Sequence, residues 1–276
     1  MTTVSAPRIS LIIAVYNRPD ALRLVLAACA RQSFRDFEIV IADDGSGPAV
    51  GQEVDRAKAR WSLPIQHVWH EDRGWRKNIA LNNAIRASRA EHLVFIDGDC
   101  LPSREFLRDH DAECEPGTVL LGRRVETSAR WSAALTEEIV ENGSFERYGW
   151  RELLDGVRGT ALRLEDGIRI PSRFLRRLLL RRVRTMLGSN FSALKHDLTA
   201  VNGFDELYEG PGCGEDSDLF LRMTRAGIRG KSLRNLGILY HLHHPLTRVS
   251  AASLERFEEI QRSGEVRCRR GLDQLP

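Results

Sequence analysis

The chain opens with a regular exchange of two patterns. Ile9–Val15 (ISLIIAV) is a continuous apolar, β-branched run, as expected of a strand buried on both faces. Pro19 then starts a helix, since its missing N–H is harmless in the first turn. Leu22, Val25, Leu26 and Cys29 recur on one face of that helix. The same alternation predicts a strand over 37–42 (FEIVIA), a helix over 50–60 and a strand over 65–69. A helix over 75–88 and a strand over 92–96 (HLVFI) follow. Strands and helices that alternate through short turns imply a mostly parallel sheet with helices on both faces. Ligands of such sheets bind beyond the carboxyl ends of the strands. Three of these ends carry polar clusters, Tyr16-Asn17-Arg18, Asp43-Asp44-Gly45-Ser46 and Asp97-Gly98-Asp99, which are expected to share one crevice.

The second half is less regular. Helical spacing covers 103–113, 132–142, 198–201, 216–226 and 253–262, and strand-like runs cover 119–121, 190–195, 228–233 and 237–240. The segment 148–171 reads as a loop-rich insertion, and 172–187 as a strongly basic helix. With no internal repeat or low-complexity linker, the chain reads as one domain, 1–276, with lobes at 1–100 and 101–246 and a C-terminal helical tail at 247–276.

Composition narrows the class. The chain has 276 residues, 42% of them hydrophobic and 29% charged, enough to bury a core without staples. No apolar run reaches the ~18 residues of a spanning helix, and no apolar signal core precedes the first strand. The five cysteines are scattered without a C-x-x-C pair, which fits a reduced, cytoplasmic chain. A net charge of +3 does not call for nucleic acid. Its distribution says more. Residues 205–218 hold six acids and no base, whereas 167–196 contain no acid but carry Arg169, Arg173, Arg176, Arg177, Arg181, Arg182, Arg184 and Lys195. The basic stretch 169–184 is a solvated face, a dock for an acidic or phosphorylated acceptor, or a peripheral contact with an anionic membrane.

The strand ends carry the candidate chemistry. Neither a G-x-G-x-x-G turn nor a P-loop occurs, so phosphate would be met by a metal and basic side chains. Asp97 and Asp99 can hold a divalent cation, and a cation there can bind a diphosphate. The plain alternative is a turn, where Asp and Gly are favoured. Asp43 and Asp44 form a turn or accept from a base and a ribose. Glu215 and Asp216 stand at a helix start, stabilised by its dipole or aimed into the crevice as a general base. The loop before them, 205–215, is glycine-rich and is expected to order over a bound donor. His241 follows a strand-like run and is the preferred third metal ligand, with His243 and His244 as alternatives. In an extended segment His241 and His243 share a side.

Taken together, these motifs resemble family 2 glycosyltransferases of the GT-A fold. ISLIIAVYNRP and IADDGS look like the nucleotide-binding strands of that family, and FIDGD like its metal-binding D-x-D. Residues 188–222 (GSNFSALKHDLTAVNGFDELYEGPGCGEDSDLFLR) are similar to a galactosyltransferase C-terminal region, and Gly74–Ile85 resembles the family's basic helix. The resemblance implies a mostly parallel, Rossmann-like central sheet flanked by helices, with nucleotide-sugar binding in 1–100 and acceptor binding in 101–246. It implies sugar transfer with inversion from a nucleotide diphosphate donor, UDP-linked by expectation, to a saccharide or lipid-linked acceptor. By analogy Ala14, Tyr16 and Arg18 line the nucleotide, Asp43 or Asp44 holds base and ribose, and Arg76 or Lys77 faces the diphosphate. Asp97 and Asp99 bind donor and Mn²⁺ or Mg²⁺, and His241 completes the metal shell. Asp216 is the base, and Glu215 holds the acceptor sugar. The enzyme is expected in the cytoplasm or at the inner face of its membrane. Two stretches depart from the pattern: 209–214 (EGPGCG) replaces a tryptophan-rich loop, and 140–187 matches nothing. The competing readings are a non-catalytic sugar-nucleotide or membrane-surface module on the same fold, and a nucleotidyltransferase, for which no Gly-rich nucleotide loop is present.

Overall fold

The computed structural model describes residues 6–179, 183–210, 214–245 and 250–274. The first seven elements follow the expected alternation: β1 (Ile9–Val15), α1 (Pro19–Ala30), β2 (Phe37–Asp43), α2 (Pro48–Trp61), β3 (Ile65–Trp69), α3 (Lys77–Ala87) and β4 (His92–Asp97). Next come β5 (Cys100–Pro102), α4 (Phe106–Glu113), β6 (Thr118–Leu121), β7 (Val125–Glu126), α5 (Ala129–Ala134) and α6 (Glu137–Asn142). The remainder is α7 (Trp150–Val157), α8 (Arg173–Leu179), β8 (Phe191–Leu194), α9 (Lys195–Ala200), α10 (Glu215–Arg225), β9 (Arg229–Ser232), β10 (Leu239–His241) and α11 (Ala251–Ser263).

Seven strands form one sheet in the order β3-β2-β1-β4-β8-β6-β9. Its pairs are parallel except those that β8 makes with β4 and β6. The side chains of β1 explain why both faces are covered. Ile9, Leu11, Ile13 and Val15 enter the core under α1 and α2, while Ile12 and Ala14 enter the core shared with α3, β8 and α10. On that second face Phe95 and Phe191, directly opposed across β4 and β8, stack with centroids 4.4 Å apart.

Register positions the site. Val15 pairs with Asp43, and Ala14 with Asp97, so three polar strand ends share one rim. Gly98 is packed against β1: a Cβ there would lie 3.0 Å from the Ala14 carbonyl oxygen. A second sheet, β5-β10-β7, was not foreseen, because its strands are only two or three residues long. It pairs His241 with Cys100 on one side and with Glu126 on the other, beside Asp99.

Three expected elements differ. The helix expected over 132–142 is two helices. Leu135 leaves α5 with extended dihedrals, and the Thr136 hydroxyl accepts from the Ile139 N–H to cap α6. The stretch read as loop contains α7, whose first turn is closed by Gly149 N–H donating to Glu152 (2.8 Å). The basic helix expected over 172–187 is described only as α8. Residues 180–182, which include Arg181 and Arg182, lie outside the described residues, and 183–187 are not helical.

Candidate functional site

Each acid of the Asp43-Asp44 turn is buried against a histidine from the neighbouring strand. Asp43 accepts from the Ser46 N–H (2.8 Å) and sits 2.7 Å from His67 Nε2 on β3. Burial would raise its pKa, but His67 and Ser46 outweigh that and lower it. Asp44 meets His70 Nε2 (2.9 Å) and the Arg76 N–H (2.9 Å). There burial prevails and raises the pKa. Tyr16 is half exposed and donates to Asp72 (3.0 Å). Gly45 has φ +89°, and a Cβ on it would come 2.5 Å from Asp72 Cα, so the 70–74 loop lies directly on the turn. His67, His70 and Asp72 escaped the sequence reading. The rule that flags polar strand ends, applied to the end of β3, flags His70 and Asp72.

Asp99 gathers a second group. It is bound by Arg18 (2.7 Å) and faces His241 Nε2 (3.6 Å) and His244 Nε2 (3.5 Å). The two Nε2 atoms are 3.1 Å apart. His241 Nδ1 lies 2.5 Å from Glu126, and His244 Nδ1 lies 2.8 Å from the Pro245 carbonyl. Each Nδ1 is thereby assigned as the donor, which leaves both Nε2 atoms as lone pairs aimed at each other and at Asp99. Such a cluster of acceptors needs a proton or a cation among them. Burial opposes charge on His241, but Asp99 and Glu126 raise its pKa. Burial likewise works against Asp99 and Glu126, yet their cationic neighbours lower each to about 2. Carboxylate and imidazole donors, with Glu126 orienting His241 from behind, suit a divalent cation such as Mn²⁺. Of the two alternatives to His241, His243 is exposed and its N–H donates to Ser132 Oγ (2.8 Å), whereas His244 converges with His241 on Asp99.

Lys77, at the start of α3, joins the two halves of the chain. Its Nζ is 2.7 Å from Asp97, and Glu215 and Asp216 also lie within its electrostatic reach. Burial opposes the charge, but these carboxylates raise its pKa. Glu215 is largely buried and its Oε2 has no hydrogen-bond partner among the described residues. Burial raises its pKa, and Lys77 only partly restrains the rise. Asp216 accepts from the Gly188 N–H (2.9 Å) and the Ser217 N–H (2.7 Å). Arg76 gives Asp44 its backbone N–H, and no ion pair holds its guanidinium among the described residues.

Half of the six-acid cluster is structural, and Glu209 is exposed. Asp218 and Arg222 are a fully buried pair at 2.9 Å. Asp205 is held by Arg256 (2.7 Å), and Glu206 accepts from Asn82 (3.0 Å) near Arg86 and Arg270. The cations that satisfy Asp205 and Glu206 come from distant parts of the chain, where a local count could not see them, and the partner of Asp218 stands one helical turn on. Glu215 and Asp216 remain as the pair beside Lys77. Part of the basic stretch is structural too: Arg169 binds Asp109 with both nitrogens, and Arg176 binds Glu113 (2.6 Å).

The chain is similar to known proteins in sequence and in fold. Residues 10–171 match the family described as Glycosyl transferase family 2, and 179–245 match the N-terminal domain of galactosyltransferase. Validoxylamine A glucosyltransferase of Streptomyces hygroscopicus subsp. jinggangensis is 30% identical over 239 residues, covering 82% of this chain and 53% of the relative. Chondroitin synthase of Escherichia coli is 25% identical over 261 residues, covering 86% and 35%. The chain thus spans about half the length of the first of these relatives, and less of the second. Among solved structures, S. aureus TarS in complex with UDP-GlcNAc superposes with a TM-score of 0.63 at 20% identity, covering 93% of this chain and 65% of that one. The Pyrobaculum calidifontis mannosyltransferase PcManGT, in complex with GDP-Man and Mn²⁺, gives 0.57 at 16% identity, covering 95% and 72%.

Proposed function

Because the chain belongs to glycosyltransferase family 2 and has the GT-A architecture of its structural neighbours, we propose that it transfers a sugar, with inversion, from a nucleotide diphosphate donor to an acceptor hydroxyl. The observation that carries this reading is the meeting of Asp97 and Lys77 from the first half with Glu215 and Asp216 from the second. Single displacement needs a base and a leaving group on opposite sides of one sugar; in this reading the carboxylate pair supplies the base, and the strand end at Asp97 and Asp99 faces the leaving group.

In this reading Ala14, Tyr16 and Arg18 line the nucleotide, and Asp44 or Asp43, oriented by His70 and His67, meets base and ribose. The free Arg76 guanidinium and Lys77 face the diphosphate. Asp97, Asp99, His241 and His244 would hold Mn²⁺ or Mg²⁺, which when bound neutralises charge on the departing diphosphate. Asp216, kept in place by two backbone N–H groups, takes the proton of the acceptor hydroxyl. Glu215 accepts a hydrogen bond from the acceptor sugar through the oxygen that has no protein partner. Residues 1–100 form the donor lobe, 101–246 the acceptor lobe and 247–276 the tail. A UDP-linked donor is favoured by the TarS complexes with UDP and UDP-GlcNAc, and GDP-mannose is the alternative offered by PcManGT. The acceptor is a saccharide or lipid-linked hydroxyl. Free Cys29, Cys100, Cys114 and Cys268 fit a cytoplasmic enzyme.

A thermal-shift and calorimetric screen of UDP- and GDP-sugars, with Mn²⁺ and with EDTA, tests the proposal. One nucleotide sugar should raise Tm in Mn²⁺ and lose most of that effect in EDTA. Absence of any nucleotide-dependent shift across the panel would refute the donor site.

A further inference from the structure

The segment between β7 and β8 gathers apolar side chains on the outside of the molecule. Thirteen large hydrophobic residues are exposed among the described residues, and eight of them fall between Trp150 and Leu178. Helix α7 is built inside out. Its buried residue is Asp155, held by Ser128 Oγ (2.6 Å) and Arg130 (2.9 Å). Trp150, Leu153 and Val157, spaced i, i+3 and i+7 on one face, are 70%, 52% and 86% exposed. An apolar stripe turned outward contributes nothing to the core and marks a contact surface.

Helix α8 repeats the arrangement with more charge. Phe174 and Leu178, one turn apart, are 72% and 69% exposed. On the adjoining face Arg173, Arg176 and Arg177 line a groove of about 660 Å³ with Arg229, Lys231 and Arg234. Three of these six cations are paired within the protein: Arg176 with Glu113, Lys231 with Glu113 and Glu115, and Arg234 with Asp166. Arg173, Arg177 and Arg229 have no carboxylate within 4.0 Å among the described residues, and no residue outside the description is Asp or Glu. Arg234 links the two helices, since it pairs with the turn that follows α7 and also lines the groove beside α8.

We infer that this segment seats the protein on an anionic lipid bilayer. The side chains of Trp150, Leu153, Phe174 and Leu178 enter the interface, and Arg173, Arg177 and Arg229 meet the lipid phosphates. In α8, Phe174 and Leu178 beside Arg173, Arg176 and Arg177 form the composition of an interfacial helix, and α7 adds the outward Trp150 and Leu153. A soluble polyanion would use the arginines and leave the apolar stripes in water. A second copy packed on the same face would bring unpaired arginines against each other. A bridge between Glu126 and Leu162 joins the segment to the residue that orients His241, so docking sets the crevice beside the bilayer.

Vesicle flotation of the full chain tests this, with phosphatidylcholine alone and with phosphatidylcholine mixed with phosphatidylglycerol. The wild type should float with the mixed vesicles and stay down with the neutral ones. Replacing Arg173, Arg177 and Arg229 together by Gln should weaken partition about a hundredfold, at about fivefold for each lost charge. Trp150→Ser with Leu153→Ser, and separately Phe174→Ser with Leu178→Ser, should each weaken it at least about tenfold. All these side chains are on the surface, so Tm and nucleotide binding should stay at wild-type values. The inference is overturned if the wild type ignores anionic vesicles or if none of the variants changes flotation. It is equally overturned if the Trp150/Leu153 change dissolves a dimer instead, or if only soluble heparin is bound. Flotation needs no sugar donor, so this result stands or falls apart from the transferase reading.

Discussion

Replacing Asp216 by Asn separates the chemistry of the proposed base from its structural role. The carboxylate holds the Gly188 and Ser217 N–H groups, one on each oxygen. An amide keeps one of these bonds and turns its own N–H₂ toward the other donor. The net loss is one hydrogen bond and one poorly satisfied N–H, about 1–3 kcal/mol of stability. That is a fall in Tm of several degrees for a chain of this size. The catalytic loss should be larger. Removing a positioned general base costs about 10²–10⁴ in rate, or about 3–5 kcal/mol at 1.36 kcal/mol per decade. Donor affinity should change by no more than about threefold, because Asp216 faces the acceptor in this reading. The assay is release of nucleoside diphosphate from the donor into water in the presence of Mn²⁺, beside calorimetry of donor binding at a temperature where both proteins are folded. Release within about tenfold of wild type at unchanged affinity would refute the base assignment. A parallel loss of rate and affinity would move Asp216 to the donor site.

Three further outcomes follow from the geometry. His244→Ala should weaken Mn²⁺-dependent donor binding about tenfold or more, and Glu126→Gln about 10–100-fold, whereas His243→Ala should leave it unchanged; calorimetry with and without Mn²⁺ decides, and equal effects at 243 and 244 would count against the convergence on Asp99. Asp218→Ala leaves the fully buried Arg222 guanidinium without its carboxylate and should cost about 3–5 kcal/mol in urea unfolding; a loss under about 1 kcal/mol would show that the carbonyls of Val201 and Gly203 suffice. Burial lowers the pKa of His92 to about 4 and of His110 to about 3, so both stay neutral in the fold and charge when the chain unfolds below the ordinary value of about 6.5. Their stabilisation is complete above that pH and drains away as pH falls toward 4, by about 2 kcal/mol each at pH 5. Urea midpoints at pH 7.5 and 5.0 should differ clearly less in His92→Gln/His110→Gln than in wild type, and equal differences would refute the linkage.

How far the sequence alone reaches depends on whether a feature is made locally. The strands β1, β2 and β4 were legible because each has an apolar run of four or more residues, and their parallel register then fixed where Asp43, Asp97 and Asp99 had to lie. The helix start at Glu215 was legible because a loop of glycines and a proline gives way there to amphipathic spacing. Of the small sheet only the strand-like run at 237–240 was legible, since strands of two or three residues from three parts of the chain carry no pairing signal. It is this sheet that joins Glu126 to His241, so Glu126 was invisible while its partner was not. Helix α7 was hidden by its reversed polarity. A pattern that assumes apolar side chains point inward reads Trp150, Leu153 and Val157 as noise. The acids at 205, 206 and 218 looked like a site because their arginine partners stand at 256, 270 and 222, mostly beyond any local window.

Helix α11 contacts three residues that precede the Glu215–Asp216 pair. Ser253 Oγ donates to the Gly210 carbonyl (2.9 Å), Arg256 grips Asp205, and a Cβ on Gly214 would lie 3.0 Å from Phe257 Cβ. Asp205, Gly210 and Gly214 are therefore all held by α11. Glu215 and Asp216 begin α10 directly after Gly214, so α11 braces the start of that helix. Loss of α11 would take away a support of this pair as well as the tail itself.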